Sequence, residues 1–137
     1  MRHTIKFIVR AGTLVLLLGG LAVSPQSYAG GEMPSKNACK NPGNATVKGG
    51  CIATDRKKGN CMACHQFKGL EKTRLQAGNI APPLVAMKQR FPDKAKLRAQ
   101  IWDATKINPN SSMPPFGRHK ILSGDEIDSI VEFLYTL

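Results

Sequence analysis

The C-terminal segment carries the clearest helical pattern of the chain. Its apolar residues recur at i, i+3, i+4 and i+7, a spacing that places them on one face of a helix. Ser123, followed three residues later by Glu126, forms the S-x-x-E pattern of a capping box. We therefore predict a helix that begins after Ser123 and buries one apolar face. That face comprises Ile127, Ile130, Val131 and Leu134.

Upstream residues also have helical periodicity. A second helix is predicted from Asp93 to Thr105, because Asp93 follows Pro92 as a start signal and Leu97, Ile101 and Trp102 share a face. A short helix is predicted over residues 55–58. No alternating apolar and polar run of useful length predicts a strand. The pattern indicates a small all-α domain whose apolar core would be thin.

The N-terminal pattern is of a different kind. Arg2, Lys6 and Arg10 precede the almost wholly apolar run from Ala11 to Val23, and Ser27 and Ala29 are small residues at −3 and −1 of a cut after Ala29. This order is typical of a cleaved secretory signal peptide over residues 1–29. An uncleaved membrane anchor is the alternative, but roughly 13 apolar residues fall short of the ~20 that a spanning helix needs. We expect export to the periplasm, an oxidising compartment, with no membrane attachment after cleavage.

Cys61, Cys64 and His65 form a C-x-x-C-H motif. Two thiols at this spacing can add to the two vinyl groups of a haem, and the adjacent imidazole can bind its iron. A thioredoxin-like dithiol would need a βαβ context that the pattern lacks. A zinc site would need two further ligands, which Cys39 and Cys51 could supply. Because export suits covalent haem attachment, we predict one covalently bound haem c.

A haem held by one histidine leaves the opposite face of its iron open, and Met113 is the residue predicted to bind there. Residues 108–117 contain prolines that prevent a helix, so this segment can run extended across the haem. The alternatives are His119 and a site that is open or filled in another way. A thioether ligand would favour ferrous iron and raise the reduction potential, as suits an electron carrier. The other candidates are Met33, Met62 within the motif, and Met87 in a predicted helix, where methionine usually fills core space.

Further positions surround the motif. Residues 78–84 could present a backbone carbonyl near Pro82 to the other ring nitrogen of His65, or could form an ordinary turn; the residues themselves favour neither. We interpret Trp102, Phe116 and Phe67 as core or haem-pocket residues, and a buried macrocycle as a large part of the core.

Residues 30–50 are rich in Gly, Asn and Lys, and are predicted to form an N-terminal arm, with residues 51–137 as the haem-binding domain. Cys39 and Cys51 are expected to form a disulfide that ties the arm down. A bridge to a partner subunit or a reactive thiol remains open.

The chain is strongly basic. It has 20 Lys and Arg residues against nine Asp and Glu, a formal net charge of +11. A basic cluster flanks the motif and could steer acidic redox partners, or could be an ordinary solvated surface. A nucleic-acid partner is not expected, because aromatic residues do not interleave with the basic ones. The cluster comprises Arg56, Lys57, Lys58, Lys68, Lys72 and Arg74.

The motifs, in their order along the chain, resemble class I cytochromes c and, more closely, the SoxX family of monohaem cytochromes. The resemblance covers residues 55–137. It implies a class I cytochrome c fold, Cys61 and Cys64 as haem attachment points, and His65 and Met113 as axial ligands. It also implies that His65 donates to the carbonyl that precedes Pro82. The sequence departs from the family at Ala81, where glycine is commoner. The matching segments are residues 59–65, 78–84, 108–109, 113–117 and 121–134.

The SoxX resemblance implies a specific function. SoxX is the smaller subunit of the SoxAX complex, which oxidatively joins thiosulfate to a cysteine of the carrier protein SoxYZ. The expected role of this chain is to accept electrons within that thiosulfotransferase and pass them to a downstream cytochrome c. The chemistry itself is thought to occur in SoxA, so whether this chain counts as an enzyme stays open. A free-standing periplasmic electron shuttle is the alternative.

Overall fold

The computed structural model describes residues 31–70 and 73–137, and this part of the chain is helical. Four α-helices span Ala45–Thr54 (α1), Met87–Arg90 (α2), Lys94–Trp102 (α3) and Gly124–Leu134 (α4), with short 3₁₀ turns at Cys61–Ala63 and Ala104–Lys106. Phe67 and Leu84 form an isolated parallel bridge, and no strand occurs among these residues. The all-α prediction is confirmed. The predicted signal peptide lies outside the described residues.

Helix α4 has the predicted start and the predicted buried face. The Ser123 hydroxyl accepts a hydrogen bond from the Glu126 N–H at 3.2 Å, and the Glu126 carboxylate accepts one from the Ser123 N–H at 3.0 Å. This reciprocal pair satisfies two N–H groups that lack partners within the helix. Ile127, Ile130 and Phe133 are almost completely buried, so α4 forms the centre of the core.

Helix α1 was not predicted, and it packs directly on α4. Asn44 begins it by accepting a hydrogen bond from the Val47 N–H at 2.9 Å. A Cβ added at Gly49 would lie 1.9 Å from the Ser129 carbonyl oxygen, so only glycine permits this close crossing. The helix predicted over residues 55–58 is wrong, because α1 ends at Thr54 and a turn follows. The segment predicted as an arm therefore contains most of the first helix.

Helix α3 begins at the predicted place and ends earlier than predicted. The Asp93 carboxylate accepts a hydrogen bond from the Ala95 N–H at 2.8 Å, while the last helical residue is Trp102. Leu97 and Ile101 face the core as expected. Trp102 does not, because its side chain is 39% exposed. Two ion pairs join α3 to α4: Lys94 with Glu132 and Arg98 with Asp128, each at 2.6 Å.

Cys39 and Cys51 form a disulfide, as expected. The bond fastens residues that precede α1 to the middle of that helix. It also removes both thiols as possible metal ligands, so the zinc site that would have combined them with the C-x-x-C pair is wrong. Among the described residues, no helix combines the length and apolar character needed to cross a membrane.

The ion pair between Lys58 and Glu126 leads to a testable pH dependence. The hydrogen bond from Lys58 holds the pKa of Glu126 below its ordinary value of 4.5. A carboxylate with a lowered folded-state pKa stabilises the fold above that ordinary value, and its contribution is lost as the pH falls through the lowered pKa. Glu126→Gln should therefore reduce the loss of thermal stability between pH 5 and pH 2, by a few degrees in melting temperature.

The glutamine in this variant preserves the capping box, so the measurement isolates the charge. Glu132→Gln makes the same change of net charge on the same helix and is the matched control. Its side chain is 43% exposed, against 17% for Glu126, so it should alter the acid dependence less. Equal melting curves for the two variants across this pH range would contradict the assignment.

Candidate functional site

The C-x-x-C-H motif forms one tight turn. Asn60 precedes it in the left-handed conformation with a φ of 45°, which asparagine tolerates better than most residues. The Cys64 and His65 N–H groups both donate to the Cys61 carbonyl, at 3.2 and 3.0 Å. Cys61 and Cys64 are partly buried and have free thiols. The turn therefore presents two unbonded thiols and one imidazole within five residues.

Helix α1 holds this turn against the core. The Gly59 N–H donates to the Ile52 carbonyl at 3.2 Å, and a Cβ added at Gly59 would lie 2.6 Å from the same oxygen. Met62, inside the motif, is buried in the core. Burial raises the pKa of the Cys61 thiol to about 12. The packing of α1 thus sets the position of the motif, although α1 lies outside residues 55–137, which the family resemblance covers.

Residues 78–84 run beside the motif and are bonded to it. The N–H groups of Gly78, Ala81 and Leu84 donate to carbonyls of Met62, Cys64 and Gln66, at 2.9, 3.1 and 2.7 Å. A Cβ at Gly78 would lie 2.0 Å from the Ala63 carbonyl oxygen. Gly78 is therefore a site residue, which the sequence placed in a noted segment without a role of its own. Its only local signal is a glycine that opens the proline-containing segment.

The imidazole of His65 is oriented by a backbone carbonyl. Its Nδ1 lies 2.6 Å from the carbonyl oxygen of Pro82. A carbonyl can only accept, so Nδ1 carries the proton and Nε2 keeps the lone pair that a metal ion needs. A carbonyl near Pro82 was one of two open readings, and it is the one observed. The resemblance implied the carbonyl that precedes Pro82, which is wrong, because the carbonyl of Pro82 itself accepts the hydrogen bond from His65.

The candidates for the distal ligand lie in different environments. Met62 and Met87 are both buried in the core, and for Met87 this position was expected. His119 is exposed. Met113, like Met33, is partly buried and packs against the same core cluster as Cys61. Its N–H donates to the Ser111 hydroxyl at 3.2 Å, within a segment without α-helical structure.

These residues fit a covalently attached haem. The free thiols suit thioether formation, the Nε2 lone pair suits iron, and a partly buried thioether borders the same core. Apolar side chains near the motif are also exposed: Leu75 at 39%, Ile80 at 80% and Val85 at 40%. Exposed apolar side chains close to such a donor set are expected where a large apolar group binds.

The basic cluster around the motif is partly exposed. The exposed members are Arg56, Lys57, Lys68 and Arg74. Lys58 is half-exposed and forms an ion pair with Glu126. Lys72 lies outside the described residues. The cluster therefore keeps exposed cations near the motif, but Lys58 also has a structural role.

Comparison with known proteins decides the family. The family model described as cytochrome c oxidase, cbb3-type, subunit III matches residues 54–134. The chain belongs to this cytochrome c family. Its fold is the class I cytochrome c fold, and its cofactor is one covalently bound haem c.

A solved structure gives a more specific likeness. A chain in the crystal structure of SoxXA from P. pantotrophus is 29% identical, and the match covers 66% of this chain and 79% of that chain with a TM-score of 0.58. This cytochrome is therefore SoxX-like. An uncharacterized lipoprotein of Aquifex aeolicus (strain VF5) is 34% identical over 79 residues. That match covers 58% of this chain and 37% of the lipoprotein, so the chain spans little more than a third of that relative's length.

Proposed function

We propose that Cys61 and Cys64 attach the haem through thioether bonds and that His65 and Met113 bind its iron. The support for His65 is the Pro82 carbonyl, which fixes the Nδ1 proton and leaves Nε2 free. The support for Met113 is its partly buried position beside the core that Cys61 also borders. Haem iron in this ligation exchanges single electrons between ferrous and ferric states.

We propose further that the protein is the electron-transfer subunit of a SoxAX-type L-cysteine S-thiosulfotransferase. In this reaction a carrier cysteine thiolate and thiosulfate form a sulfur–sulfur bond, and two electrons leave the pair. A SoxA-type partner would hold the catalytic centre. This chain would accept the electrons one at a time and release them to a downstream cytochrome c. The observation that carries the proposal is the match to SoxXA over 79% of the solved chain.

The chain's own residues have defined tasks in such a relay. Hydrogen bonds between the motif and residues 78–84 hold the proximal imidazole in one orientation, so little reorganisation accompanies electron transfer. The exposed cations Arg56, Lys57 and Arg74 would raise the encounter rate with an acidic redox partner. Such a rate should fall as salt is added.

The signal peptide over residues 1–29 and the export to the periplasm belong to the same proposal. So does the division into residues 30–50 and a cytochrome domain over residues 51–137. The arm is not structurally separate from the domain, because helix α1 and the Cys39–Cys51 disulfide both cross the boundary between them.

Purification from the native host tests the functional proposal. The protein should co-purify with a second, haem-bearing chain of SoxA type, and the pair should reduce added cytochrome c when thiosulfate and SoxYZ are present. The matched control is the same assay without SoxYZ, which should give no reduction. A protein that purifies alone and exchanges electrons without thiosulfate would instead be a free-standing shuttle cytochrome.

A further inference from the structure

The loop that carries Met113 is closed at its base by a small group of residues. The loop runs from residue 103 to residue 117, between α3 and the segment that leads to α4. At its exit, the N–H groups of Gly117 and Arg118 donate to the Trp102 carbonyl at 3.1 and 3.3 Å. The two ends of the loop are therefore fixed to one another at the end of α3.

Side chains reinforce this closure. A Cβ added at Gly117 would lie 2.2 Å from the indole ring of Trp102, so the ring lies directly against the glycine backbone. The Arg98 guanidinium lies 5.3 Å from the centre of the same ring and also bonds Asp128 of α4. This contact explains why Trp102 is partly exposed: the ring covers the loop base instead of entering the core.

Asp103 adds a buried charge at the same point. Its side chain is 3% exposed, and Oδ1 accepts hydrogen bonds from the N–H and hydroxyl of Thr105, at 3.1 and 2.5 Å. Oδ2 has no hydrogen-bond partner among the described residues, and the Nε of Arg118 is 3.4 Å away. The Thr105 hydrogen bond and the Arg118 charge lower the pKa of Asp103. A buried carboxylate in this state makes separation from its cation costly.

We infer that Trp102, Asp103, Gly117 and Arg118, here called the base clamp, position Met113 and determine how readily it leaves the iron for an external ligand. The inference rests on the proposed ligation by Met113. Replacement breaks the bond between the thioether sulfur and iron and forms one between iron and the incoming nitrogen. The loop must open for this exchange. If opening the loop breaks a contact of the base clamp, that contact stabilises the closed loop and lowers the population of the open state.

Imidazole binding to the oxidised holoprotein measures this population. Arg118→Gln removes one member of the ion pair from a half-exposed position, and Asp103→Asn removes the other. Each should tighten imidazole binding by about tenfold, because a more populated open state raises the apparent affinity in proportion. Lys96→Gln, which makes the same change of net charge as Arg118→Gln from an exposed site on α3, should change it by less than about twofold.

A double variant shows whether the pair acts as a unit. Asp103→Asn combined with Arg118→Gln should bind imidazole less tightly than the product of the two single effects predicts. Arg118→Lys should recover part of the parent affinity, because it retains the charge. Denaturant unfolding of each variant separates loop opening from a general loss of stability. Should Asp103→Asn fail to fold, the Arg118 variants alone decide the matter.

The outcomes distinguish the clamp from the ligation. Suppose that the parent protein has the sulfur–iron absorption band, and that the Arg118 variants bind imidazole no more tightly than Lys96→Gln does. This result would overturn the base clamp and leave the ligation by Met113 intact. A parent without that band would overturn the ligation by Met113, and the clamp inference with it.

Discussion

Replacing Cys61 and Cys64 together with alanine should abolish covalent haem and leave little folded protein. The two thiols are the proposed attachment points, and without them the haem is held by no covalent bond. The apolar core is small, and large apolar side chains near the motif are exposed. A bound group that covers such surface stabilises the folded state, and its loss shifts the equilibrium toward the unfolded chain. A haem-stained denaturing gel and far-ultraviolet circular dichroism measure the two effects.

The matched control removes the other pair of cysteines. Cys39→Ala with Cys51→Ala deletes the disulfide, and should cost about 2–4 kcal/mol of stability. The covalent haem should nevertheless remain, because neither cysteine belongs to the attachment motif. A well-folded, haem-free Cys61→Ala/Cys64→Ala protein would contradict the claim that the haem completes the core.

Replacing Met113 with alanine should remove the weak far-red sulfur-to-iron band of the oxidised protein. The reduction potential should fall on the order of 100 mV, because the thioether favours ferrous iron and axial ligands tune haem potentials over a range of ~0.8 V. The side chain is only partly buried, so folding should survive the change. Absorption spectroscopy and redox titration of the holoprotein measure both effects.

Met87→Leu is the appropriate control for Met113→Ala. Met87 is 2% exposed and belongs to the core, so leucine should replace it at a cost below about 1.5 kcal/mol. This variant should retain the far-red band and the parent potential. A band that persists in Met113→Ala would remove Met113 from the iron and require another methionine as the ligand, with the partly buried Met33 as the next candidate.

The sequence predicted the elements whose signals are local. Helix α4 has an amphipathic stripe and a capping box within twelve residues, and both appear in the structure. Asp93 is a local start signal for α3 in the same way. The C-x-x-C-H motif needs only five adjacent residues, so the haem was recognisable before any fold was known. Signals of this kind depend only on residues that are close in the chain, so they can be recognised without knowledge of how the helices pack.

The sequence did not predict features that depend on distant partners. Helix α1 contains Gly49 and Gly50, which weaken an isolated helix and suggested an arm. Gly49 serves instead to bring α1 close to α4, and Gly50 leaves room for the Pro34 ring, reasons visible only once these distant residues are in place. The cap residue Asn44 was the one local sign of this helix. Likewise, Trp102 and Asp103 meet Gly117 and Arg118 across a long loop, and no local pattern indicates that closure.

Near-infrared magnetic circular dichroism of the oxidised holoprotein tests the central claim most directly, because it identifies both axial ligands of a low-spin haem. We predict the signature of one low-spin haem with histidine and methionine ligands. A bis-histidine signature, a high-spin iron, or a protein without haem would contradict it.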